Sequence, residues 1–224
     1  MMKELDVNEK DYLSTIIFAF INGFVLLFIY SMAKNIRDFP YDSGAYWILS
    51  NSFGKDGFFF PNSIRGYVFP FFLHVGKSIF GFTGLDEIIR FRIFAALFAS
   101  FILIFLLPEN FLSIANKSRT FESRKERRYF LISRLFLMIV FIYFWNGLLL
   151  YPLSDFYAFA FISIASVCAF KMGNTEHILK IIGFSFICGV FTYAAYNTRT
   201  IYLFGAIPIL LLFIRNNGKK KYLR

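Results

Sequence analysis

The stretch GYVFPFFLHVGKSIFGF, residues 66–82, is apolar enough to pass for a membrane crossing, yet it holds Pro70, His74 and Lys77. A crossing helix needs about 20 mostly apolar residues, and ionisable groups inside a bilayer are costly. The neighbouring segment NKSRTFESRKERR, residues 116–128, carries Lys117, Arg119, Arg124, Lys125, Arg127 and Arg128 against Glu122 and Glu126. Clusters of this kind stay on the cytoplasmic side. If 66–82 crossed the membrane, every later segment would be inverted and the basic cluster would face outward. Read instead as an amphipathic helix lying at the outer interface, 66–82 leaves the cluster in the cytoplasm.

The rest of the chain fits that frame. Of its 224 residues 58% are hydrophobic and 34 are phenylalanine, far above the usage of soluble domains. Apolar runs at 12–33, 88–107, 130–151, 153–170 and 178–196 meet or approach the spanning length. A sixth, 200–214, would cover only about 22 Å at the helical rise per residue. The expected fold is therefore all-α: a polytopic bundle of about six spans forming one transmembrane domain over 1–224. Its polar parts are an outer connection (34–87) with interfacial helices, a basic cytoplasmic loop (108–129) and a basic cytoplasmic tail (215–224). Six spans put both termini in the cytoplasm of a plasma-membrane protein. Ser31-Met32-Ala33 looks like a signal-peptide cleavage site, but the leader is acidic on balance and the run at 12–33 exceeds the roughly 7–15 residues of a signal core. It reads as an uncleaved anchor.

The formal charge of +10 reports orientation and does not point to nucleic acid, because it gathers in the short polar segments. Cys168 and Cys188 lie in apolar runs without C-x-x-C spacing and read as small core residues. His74 and His177 fall on opposite sides of the membrane and cannot share a metal. No Walker A, G-x-S-x-G, H-E-x-x-H or Rossmann pattern occurs.

Four residues outside the spans or at their ends can carry chemistry, each with a structural reading beside it. In YDSGAYWILSNSF (41–53), Asp42, Ala45, Tyr46, Leu49 and Phe53 recur at helical spacing, with Asp42 and Tyr46 on one face. Asp42 is equally a helix cap. Asp155 opens the fourth span, where it or Ser154 would cap the helix. Arg199 sits between the last two apolar runs, as a headgroup contact or a substrate ligand. Arg65 lies in the outer connection, with a fork suited to phosphate.

The order and sidedness of four segments resemble the N-terminal part of the GT-C superfamily of polytopic membrane glycosyltransferases, which includes protein O-mannosyltransferases and aminoarabinose transferases. They are YDSGAYWILSNSF (41–53), SIRGYVFPFFLHVGKSIFG (63–81), YPLSDFYAFAFISIA (151–165) and AAYNTRTIYLFGAIPILLLFI (194–214). The resemblance implies transfer of a sugar from a polyprenyl-phosphate donor to a cell-envelope acceptor on the outer face, with inversion. It implies Asp42 as general base and Asp155 as a second acidic position that orients the acceptor or, in some members, helps hold a divalent metal. Tyr46, Arg65 and Arg199 become substrate-binding candidates, the arginines for the lipid phosphate. Family members usually have eight or more spans and many add a soluble domain. The sequence also lacks their proline after the arginine at Arg65. The alternative expectation is a non-catalytic or truncated member acting as a lipid-binding partner of a second membrane subunit. A transporter is disfavoured, since no inverted repeat is visible and no span is expected to carry a central charge.

Overall fold

The computed structural model describes residues 2–34, 36–53, 66–108, 123–205 and 207. Among them all regular structure is helical, and five helices are long and apolar enough to cross a membrane. In chain order these elements are α1 (Met2–Ala33), α2 (Tyr41–Ser52), α3 (Val68–Ile79), a 3-10 turn (Gly81–Thr83), and α4 (Glu87–Ser100), which runs into a π-helical turn (Phe101–Leu106). Then follow α5 (Arg124–Leu150), α6 (Ser154–Asn174), α7 (Ile178–Thr198) and a second 3-10 segment (Thr200–Gly205).

The starts of these helices are written locally. Asp86 caps α4 by accepting from the Ile88 amide at 2.8 Å. Ser123 caps α5 by accepting from the Glu126 amide at 3.2 Å, in the Ser-x-x-Glu spacing of a capping box. That cap explains why α5 begins inside the basic segment, earlier than the apolar run at 130 implies. α5 is broken at Trp145, whose φ of −127° and ψ of 32° leave the helical region. The 12-residue α3 is too short to cross a bilayer. Of the expected sixth span, residues 200–205 form the 3-10 segment and nearly all the rest lies outside the described residues.

The chain divides into two compact units, 1–38 with 76–151 and 39–75 with 152–224, the division falling within α3. In the first unit α4 and α5 pack on α1. Ala95, Ala96 and Ala99 of α4 are buried, and such small side chains let helix backbones approach. A Cβ on Gly23 would come within 2.3 Å of Ile104 Cδ1, so a larger residue there would require the Ile104 side chain to move. Arg134, 3% exposed, donates from Nη1 to the Ile104 carbonyl at 2.9 Å and stacks over the Phe130 ring at 4.3 Å. It lies within the candidate span Arg124–Trp145, as the fifth residue of the apolar run that begins at 130. Its charge is tolerated because a carbonyl and an aromatic face replace water.

Lys77, also in the first unit, is 5% exposed and 3.8 Å from Glu87. Burial pulls its ammonium down to about 8, with Glu87 opposing and the like charge of Arg90 assisting. The unfolded chain therefore binds more protons than the folded one between about pH 8 and pH 10.5, and stability rises with pH across that window. Thermal unfolding of the solubilised protein should move upward over this interval, and Lys77→Met should remove its share of the slope. An unchanged slope would mean that Lys77 does not titrate there.

In the second unit α6 and α7 form a closely packed pair, with Ile162, Cys188 and Phe191 laid against Ala165 and Ala169. Cys168 is buried and Cys188 half-buried, both as free thiols. α3 meets α7 where the Val68 amide donates to Asn197 Oδ1 at 2.9 Å and the Tyr67 and Tyr193 hydroxyls are 2.7 Å apart. Gly66 permits that approach, since a Cβ there would fall 1.7 Å from the Asn197 carbonyl oxygen. Phe69 and Phe72 of α3 pack on Tyr157 of α6.

Candidate functional site

The loop between α6 and α7 is short, so the two helices run antiparallel and the start of α6 meets the end of α7. Asp155, in the first turn of α6, and Arg199, the C-terminal cap of α7, face each other there. Arg199 Nη2 donates to Asp155 Oδ2 at 2.7 Å. The pair is partly exposed, at 40% for the arginine side chain and 51% for the aspartate. The residue before α6 is Leu153 and no side chain caps the helix, so the capping role weighed for Ser154 and Asp155 does not hold. Asp155 is held by a cation 44 residues away.

Burial lowers the pKa of the Arg199 guanidinium, but the hydrogen bond and charge of Asp155, then Tyr46 and Asp42, more than reverse this and leave it raised. The same balance shows that α2 reaches this place. Asp42 is exposed in the first turn of α2, whose N-terminal cap is Pro40 without a side-chain bond, so Asp42 is not the cap either. Tyr41, immediately before it, has a φ of 51°, a region bulky residues rarely occupy and one that recurs at functional sites. Tyr46 is 7% exposed and its ring meets Phe69 edge-on at 4.9 Å.

The segment expected at helical spacing is a helix, and its buried residues are Ser43, Tyr46 and Ser50, continued by Phe53 at the C-terminal cap, with Ala45 and Leu49 half-buried. Ser43 and Ser50 can face inward because their hydroxyls bond backbone carbonyls three residues earlier.

Around the ion pair the polar groups are incompletely satisfied. In the second unit, three buried side-chain atoms among the described residues have no hydrogen-bond partner: Ser154 Oγ, Thr198 Oγ1 and Arg199 Nε. Two flank the pair in sequence and the third belongs to it. Such orphans are rare and call for an explanation. Tyr202 joins the cluster, its amide bonded to the Arg199 carbonyl at 3.0 Å. Its hydroxyl pKa is raised by burial and by Asp155, with Arg199 opposing.

Asp42, Tyr46, Asp155 and Arg199 are thus gathered at one end of the second unit. Arg65 lies outside the described residues. His74 is elsewhere in this unit, its Nδ1 3.0 Å from the Ser50 carbonyl oxygen and its ring beside Phe53; His177 precedes α7. Thr198 and Tyr202 were not singled out by the sequence, and Ser154 only as a helix cap; adjacency to Asp155 and Arg199 is the signal that could have found them as site residues. Among the described residues no three His, Cys, Asp or Glu side chains converge. Asp155 is already engaged by a guanidinium, so the donor set does not fit a divalent metal held by the protein alone. Compared with protein-family models, curated proteins and solved structures, the chain matches none.

Proposed function

We propose that this chain is a membrane glycosyltransferase that moves a sugar from a polyprenyl-phosphate donor to an acceptor hydroxyl at the outer face of the plasma membrane. The observation that carries the reading is the convergence of Asp42, Tyr46 and Asp155 on Arg199. In the reaction the Asp42 carboxylate takes the proton of the acceptor hydroxyl. The freed oxygen bonds to the anomeric carbon as the bond from that carbon to the phosphate oxygen breaks. The electron pair leaves with the polyprenyl phosphate, and the configuration is inverted. Charge grows on the departing phosphate, which is where a guanidinium contributes most. Asp155 keeps Arg199 in place, and the unpartnered Nε, with Ser154 and Thr198, supplies donors for phosphate or sugar oxygens.

A second reading, a lipid-binding partner without catalysis, is favoured by the 2.7 Å pair itself, which closes the ends of α6 and α7 as a structural clasp would. The two readings separate on the full chain in proteoliposomes supplied with labelled polyprenyl-phosphate mannose or aminoarabinose. Wild type should transfer the sugar, and Arg199→Ala should raise the donor KM by about tenfold or more, the worth of a charged hydrogen bond. Donor retention without transfer supports the partner reading, and neither retention nor transfer removes both.

A further inference from the structure

At the other end of the sequence order, in the first unit, a second group of cations is assembled by α1 and α4. Arg92 is 3% exposed. One of its Nη2 hydrogens goes to the Ile36 carbonyl, and Nη1 lies 3.8 Å from Met32 Sδ, a weak acceptor. Its Nε is buried without a partner. No carboxylate stands within ion-pairing distance of Arg92 among the described residues. Its charged surroundings are the like charge of Arg37, which repels it, and Asp86, which attracts it. The carboxylate of Asp86 is shared with the Ile88 amide that it caps.

A guanidinium buried to this degree is costly unless it is paired and its donors are used. Here a neighbouring cation adds to the cost. The groups facing Arg92 from the end of α1 and the segment after it are the Met32 thioether and the Ile36 carbonyl, so what the place lacks is an acceptor with negative charge. An oxyanion that takes Nε and Nη of Arg92 side by side while drawing in the exposed Arg37 satisfies both needs, and bidentate binding of this kind is what arginine offers phosphate.

Position narrows the source of that phosphate. α1 ends as a candidate span at Ala33 and α4 begins one at Glu87. Arg92 is five residues into α4, about 8 Å along the axis, and Arg37 is four residues beyond α1. Both stand at the headgroup level of one membrane surface. We infer that Arg92 and Arg37 form a binding site for the phosphate of an anionic phospholipid, anchoring the first unit to that surface. The site shares no residue with the Asp155–Arg199 cluster and does not depend on the function proposed for it.

The test is lipid retention by the full chain, followed by native mass spectrometry in detergent titrated with phosphatidylglycerol or phosphatidylcholine. Wild type should hold one phosphatidylglycerol selectively, and Arg37→Gln and Arg92→Gln should each weaken it by about tenfold or more. Arg37 is exposed, so its variant stays informative should Arg92→Gln fail to fold. Wild-type retention in Arg37→Gln, or equal retention of phosphatidylcholine, would overturn the site. Displacement of the lipid by millimolar inorganic phosphate, or phosphate binding without lipid binding, would show a soluble anion as the occupant and overturn the lipid assignment.

Discussion

Asp42→Asn should reduce sugar transfer by about 10²–10⁴-fold, the usual contribution of a positioned general base. The substitution keeps the shape of the side chain and removes its capacity to hold a proton. Asp42 is exposed and is not the residue that precedes α2, so the variant keeps the start of the helix and gives up the carboxylate's interaction with the first turn and its attraction for Arg199. Asp155 retains its bond to Arg199 in this variant, and the donor KM should stay near that of wild type while kcat collapses. A structural role would give the opposite pattern, a lower melting temperature with kcat intact. Asp155→Asn supplies the contrast. It leaves the guanidinium without its charged partner and should act mainly on the donor KM. If Asp42→Asn turns over donor like wild type, the base is another group and the mechanism above fails at its first step.

The spans were legible because crossing a bilayer imposes a length and a composition that few other structures need. The apolar runs at 12–33, 88–107, 153–170 and 178–196 reappear within a few residues as helices. α5 begins before the apolar run at 130 because a capping serine and glutamate, Ser123 and Glu126, carry the helix into polar sequence. Periodicity marked α2 as a helix but not which of its residues are most deeply buried. Ser43 and Ser50 count as polar in any pattern, yet a hydroxyl bonded to its own helix packs like a small apolar group.

The candidate site was legible as residues and illegible as a pair. Asp155 and Arg199 stood out singly, and each had a sound local explanation as a cap or a headgroup contact. Only the antiparallel packing of α6 on α7 brings them within 2.7 Å. Arg92 and Arg134 were passed over because basic residues in this chain were read as markers of orientation. Their place inside apolar runs was the available signal, since a cation there needs a partner from another helix.

Phe69→Ala tests how the aromatic core positions the site. Phe69 is fully buried, with ring centroids 4.9 Å from both Tyr46 of α2 and Tyr157 of α6. Its loss should destabilise the protein by about 3–5 kcal/mol, the range for truncating a buried phenylalanine. Phe161→Ala, further along α6, with its ring edge-on to Phe72 and tilted against Phe191, should cost a comparable amount of stability. The two should part company in activity measured well below their unfolding temperatures. Tyr46 leans on Phe69 and shares α2 with Asp42, so Phe69→Ala frees the helix that carries the base, whereas the ring contacts described for Phe161 join α6 to α3 and α7. A drop in kcat of about tenfold or more in Phe69→Ala, from a misplaced catalytic group, with near-normal kcat in Phe161→Ala, ties the stack to the placement of Asp42. Equal kcat in both would confine Phe69 to packing and leave α2 held by its other contacts.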